Sequence, residues 1–136
     1  MKERYKEILD EVMDEINSSL EDSRGMVIHQ RRLIFCLSVG VTTLIEIYLD
    51  KLNVLKQGAK IDHLWLKKSK ENAKKFIVNQ IVVPIENIKD LDKFLETANI
   101  IEKERNTLAY GKNVSETILK NKIDLFLKLK EETENV

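Results

Sequence analysis

One cysteine, one proline and four glycines are all that this chain of 136 residues holds of the residues that crosslink or turn a backbone. The lone Cys36 excludes an intrachain disulfide and suits a reducing compartment; between Phe35 and Leu37 it reads as a packed thiol rather than a reactive one. Scarce glycine and proline argue against a turn-rich sheet protein. With 43% hydrophobic and 34% charged residues, the balance favours long amphipathic helices. An excess of either charge is also missing: 23 basic and 23 acidic residues cancel, so no global field draws the protein onto nucleic acid, and such binding needs a local patch. The opening Met1-Lys-Glu-Arg-Tyr-Lys-Glu has no apolar segment of a signal peptide beside it. The most apolar stretch, Leu33 to Leu49, is interrupted by Ser38, Thr42, Thr43 and Glu46, and reads as short of a membrane span. The expectation is a cytoplasmic protein without a membrane partner, forming one domain over residues 1–136, a length that buries a substantial core unaided.

What is present is helical periodicity. Ile8, Leu9, Val12, Met13, Ile16 and Leu20 recur at three- and four-residue spacing with acidic residues between them, which predicts a helix ending near the polar stretch Asn17 to Gly25. The segment Gln30 to Gln57 is apolar on two faces, Leu33, Leu37, Val41, Leu44, Tyr48 and Leu52 on one and Cys36, Val39, Ile45, Ile47 and Leu49 on the other. It is therefore the central helix, with Gly58 as its stop and its second face open to a neighbouring helix or a second subunit. A third helical region covers Ile61 to Gln80 and is closed by Val82-Val-Pro84; a fourth runs from about Glu86 to Tyr110 with Gly111 after it. Asn113-Val-Ser-Glu116 has capping-box spacing and opens a last helix through Ile118, Ile123 and Leu129, with Glu131 onward fraying. Short connections between such helices point to an all-α, four- to five-helix up-and-down bundle.

Chemistry-bearing motifs are few. His29 and His63 are the only histidines, and beyond the weak pair Asp62-His63 neither has a partner at metal-ligand spacing, so no metal is expected. Without a Gly-rich phosphate loop or a nucleophile motif, no cofactor is expected either. Lys67, Lys68, Lys70, Lys74 and Lys75, interleaved with Trp65 and Phe76, have the make-up of a phosphate-binding surface with stacking residues, although a solvated helix face explains them more simply. The most specific signal is Glu104-Arg105-Asn106-Thr107-Leu108-Ala109-Tyr110-Gly111. Arg105 can grip a phosphate with two parallel hydrogen bonds, Asn106 can orient it and Tyr110 lies just over one turn further on. The competing reading is a structural helix end in which Arg105 pairs with Glu102 or Glu104.

The run Arg105-Asn-Thr-Leu-Ala-Tyr110-Gly resembles the Arg-Asn-x-x-x-His signature of the HEPN domains, small helical bundles that carry it late in the penultimate helix. The surrounding Glu102-Lys-Glu-Arg-Asn and the doubly apolar central helix are similar as well, so the likeness covers about residues 30–126. It implies a homodimer in which two copies of the motif meet, with Arg105 on the scissile phosphate of an RNA and Asn106 shaping the site, or a partner of nucleotidyltransferase type in a toxin–antitoxin or defence system. Tyr110 stands where those domains have histidine, and Lys112 where the nucleotidyltransferase-paired group has a tyrosine. An unperturbed phenol has a pKa of about 10 and is a poor general base near neutrality. Glu46, in the middle of the central helix, is a further polar candidate. The sequence thus leads to a HEPN-like dimer binding RNA or a nucleotide-handling protein, with catalysis weak or absent. A metal-independent ribonuclease using Tyr110 or another group, and a non-catalytic adaptor, are its alternatives.

Overall fold

Tyr5, Val12 and Ile16 line one side of a 19-residue helix, α1 (Glu3–Glu21), and all three are buried, while Glu7, Asp10, Glu11 and Asp14 on the other side are exposed. Their apolar side packs along α2 (Gln30–Lys51), the longest helix. The computed structural model describes residues 2–136, and these are helical apart from turns, loops and one isolated antiparallel bridge between Leu55 and Ile81. After α2 come two short helices, α3 (His63–Leu66) and α4 (Lys70–Ile77), then α5 (Leu91–Glu102), α6 (Arg105–Tyr110) and α7 (Glu116–Glu134). The fold is an all-α bundle around α2, which touches α1, α3, α5, α6 and α7.

Leu33, Leu37, Val41, Leu44 and Tyr48 of α2 are buried, and so are Ile45, Ile47 and Leu49 on its second face. Cover on that face stops towards the N-terminal half: Phe35 and Cys36 are half-buried and Val39 is 51% exposed. Met26–Lys51 is, by length and composition, long and apolar enough to cross a membrane, contrary to the expectation above, because Ser38, Thr42 and Thr43 interrupt it without adding charge. Within the fold 72% of its most apolar window is buried. Thr42 and Thr43 satisfy their hydroxyls on the carbonyls of Ser38 and Val39, one turn back.

Several boundaries differ from the periodicity. α2 ends at Lys51 rather than Gln57, because Asn53 takes a left-handed conformation (φ 59°) and the chain then pairs backbone to backbone, Lys56 N with Gln80 O and Val82 N with Val54 O. Gly58 (φ 76°) turns the following loop instead of stopping the helix. The third region is divided at Lys67 to Ser69, where the Ser69 hydroxyl accepts from Asn72 N and starts α4. The fourth begins at Leu91, after a 3-10 turn at Ile85–Asn87 and a left-handed Asp90, and breaks again at Lys103-Glu104, so that Arg105 opens α6 instead of lying late in a long helix. α7 starts after Ser115 rather than Asn113, and it continues through Glu131 to Glu134, held by Lys51 Nζ donating to the Thr133 carbonyl at 2.9 Å.

Candidate functional site

Arg105 answers to no carboxylate. Its Nη1 donates to Asn106 Oδ1 at 3.0 Å, and its guanidinium lies over the Phe35 ring, 4.9 Å from the centroid. Neither Glu102 nor Glu104 forms an ion pair with it among the described residues. Tyr110 meets the same Phe35 ring edge-on at 5.9 Å and is 72% exposed. α6 thus projects Arg105, Asn106 and Tyr110 onto the uncovered part of α2. Gly111 ends α6 tightly, since a Cβ there would stand 2.4 Å from the Thr107 carbonyl oxygen. The turn beyond is tied to α2 by Gln30, whose amide donates to Leu108 O and Lys112 O and accepts from Val114 N, and by Arg31, which donates to Gly111 O. The exposed Lys112 side chain belongs to this edge.

Beneath Arg105 sits a residue the motif conceals. Glu102 is fully buried at the end of α5, and neither of its carboxyl oxygens has a hydrogen-bond partner. Burial pushes its carboxyl up from the ordinary glutamate value, opposed by the Ser38 hydroxyl and by the neighbouring His63, Arg105 and Lys67. The Nδ1 of His63 is 4.0 Å from Glu102 Oε2, buried and unpartnered as well. Among the described residues five buried polar side-chain atoms lack a partner, and four of them belong to His63, Glu102 and Arg105; the fifth is the Tyr5 hydroxyl. Orphaned buried polar atoms are costly to a fold, so four in one cluster mark a site.

The other predicted residues are dispersed. Glu46 accepts from Arg4 Nη2 (3.0 Å) and from Ile61 N (2.8 Å), tying α1 to the loop that enters α3, roughly 16 Å along α2 from Phe35 at 1.5 Å per residue. It lines a cleft of about 640 Å³ whose wall also includes Arg4, Val39, Lys60, His63 and Trp65. The five lysines do not form one patch. Lys70 is paired with Glu96 and Lys74 with Asp92, both on α5; Lys68 lies over the Phe76 ring, and Lys75 is simply exposed. Lys67 is half-buried, and the carbonyls of Leu66, Lys67 and Lys68 all accept from Asn99 Nδ2. Trp65 and Phe76 stack on each other, 5.6 Å apart. His29, the other histidine, bridges Glu15 and Asp22 at 2.8 Å each and fastens the turn after α1.

No family model, curated protein or solved structure matches the chain.

Proposed function

We propose that the chain is a HEPN-like, cytoplasmic RNA-binding domain that works as a homodimer. The guanidinium of Arg105, free of any carboxylate, supports this reading most directly: stacked on Phe35 and beside an exposed phenol, it offers a phosphate a charged donor and a neighbouring base an aromatic surface. Asn106 and Lys112 extend the polar edge. The bare stripe of Phe35 and Val39 supports the dimer, because it adjoins the Arg105 cluster, and a second copy across a two-fold axis there brings both clusters to one seam. Tyr110 itself, open to solvent, leaves the motif without a base of its own.

Retardation of a single-stranded oligoribonucleotide at graded salt is the test. A complex that weakens steeply with salt and is lost in Arg105→Ala supports the reading. A protein that leaves RNA unretarded at low salt refutes it and returns the domain to the adaptor class.

A further inference from the structure

We propose that the cleft between α1, α2 and the loop that enters α3 binds a small amphipathic carboxylate, a medium-chain fatty acid, with its head at Arg4 and Lys60 and its hydrocarbon body along Ile8 and Val39. This site is separate from the Arg105 edge and independent of the RNA-binding reading.

The cleft has a polar end and an apolar end, and α1 and α2 set the same order. Glu46 marks the polar end: its Oε2 accepts from Arg4 Nη2 at 3.0 Å and its Oε1 from Ile61 N at 2.8 Å, so one buried carboxylate draws together the guanidinium and the backbone next to Lys60. Ile8 follows Arg4 by one turn, roughly 6 Å along α1, and Val39 precedes Glu46 by two turns, roughly 10 Å along α2. The two helices run antiparallel here, and Ile8 and Val39 line the same shallow hollow beside Phe35. Between the ends, Thr42 and Thr43 give their hydroxyl protons to carbonyls of α2 itself and leave no donor for a ligand to satisfy. An apolar body therefore fits along the wall while its head reaches the Arg4 end, and the volume of about 640 Å³ is in the range of small-molecule sites.

The sign of the head follows from which hydrogen-bonding groups are already used. Both Glu46 oxygens are filled, and Asp62 accepts from Leu64 N as the cap of α3. The donors, by contrast, are spare. Among the described residues Nη2 is the only guanidinium nitrogen of Arg4 with a partner, and the exposed Lys60 ammonium pairs with no carboxylate. Gln80, whose Oε1 accepts from Lys60 N at 3.4 Å, keeps its amide NH2 free. Spare donors beside occupied acceptors favour an anion over a cation. The loop is also ordered in advance: Gly58 turns it at φ 76°, and Lys60 N and Ile61 N are anchored on Gln80 and Glu46, so a ligand does not have to organise it.

Trp65 is the only tryptophan of the chain and lines the cleft, so its fluorescence reads occupancy. Titration with octanoate should give a saturable change, with affinity falling by up to about fourfold for each methylene removed towards butanoate. Lys60→Met keeps the stem and removes the charge; it should weaken octanoate binding on the order of tenfold with an unchanged circular-dichroism spectrum. Lys68→Met is the control, since Lys68 shares with Trp65 a neighbouring hollow that does not include Lys60, and it should bind like the wild type. Octylammonium, the same body with the opposite charge, should leave the fluorescence unchanged. Octylammonium binding as tightly as octanoate, an affinity blind to chain length, a loss in Lys68→Met rather than in Lys60→Met, or no saturable change at all overturns the site. None of these results touches the RNA-binding reading, which the retardation experiment decides by itself.

Discussion

A guanidinium resting on a phenyl ring, with no carboxylate to hold it, contributes charge to a surface more than packing to a core. Arg105→Ala should therefore weaken RNA binding by about 1.5–3 kcal/mol, the range for hydrogen bonds to charged groups, with an unchanged helical circular-dichroism spectrum. An equal affinity with a lowered melting temperature would instead make Arg105 a structural residue. Glu102 is the opposite case, a group whose burial works against the fold. Its carboxyl titrates above the ordinary value of 4.5, so the folded state holds the proton more tightly than the unfolded chain. Its contribution to stability is fully present below about 4.5 and is lost as pH rises through the raised value. Glu102→Gln should thus melt higher than the wild type at pH 7, with the difference shrinking towards pH 4.5; parallel melting curves across that window would contradict the assignment. The Arg105 to Tyr110 run was legible in the sequence because its members are neighbours on one chain segment. His63 was not, since its partner Glu102 lies in a distant segment, and next to Asp62 it read only as half of a weak metal pair. What joins them is the Asn99 clasp between α3 and α5, a contact that no local spacing announces.

At the scale of single helices, α2 meets α7 and α1 closely at Gly40, where an added Cβ would lie 2.6 Å from Phe126 Cε1 and 3.3 Å from Val12 Cγ1. Phe126 and Val12 are themselves buried, so making room for the methyl means repacking the core around them. Gly40→Ala should lower stability by about 1–3 kcal/mol in denaturant titration, the usual penalty for overpacking, although alanine is the better helix former. A neutral result would show that the ring shifts freely. Helix identity was readable for the same reason that these contacts exist: apolar residues at three- and four-residue spacing must find cover. Helix ends were less readable. Asn53 and Asp90 leave the right-handed region through their short polar side chains. The break at Lys103-Glu104 interrupts an apolar pattern that runs on unbroken through Ile101 and Leu108, both buried. Periodicity reports which residues face the core, and it is silent when two helices share one face with a kink between them.

For the molecule as a whole, the proposed dimer rests on the uncovered stripe on α2. Val39→Glu puts a charge on a half-exposed position, so the monomer should keep its melting temperature while light scattering changes from a dimeric to a monomeric mass and RNA affinity falls. A wild type that is monomeric at micromolar concentration would remove the shared seam. The position of α2 at the centre of the bundle also has a consequence for how the protein opens. Because α1, α3, α5, α6 and α7 all rest on it, no local departure strips α2 of its cover, whereas α3 and α4 are short, and several of their lysines and side chains face water. Amide protons of the Leu37 to Leu49 stretch should exchange with deuterium only when the entire molecule unfolds, at a rate that tracks global stability. Those of α3 and α4 should exchange far sooner through partial opening. The segment carrying His63 should then be the first to open, while the scaffold beneath Arg105 stays closed.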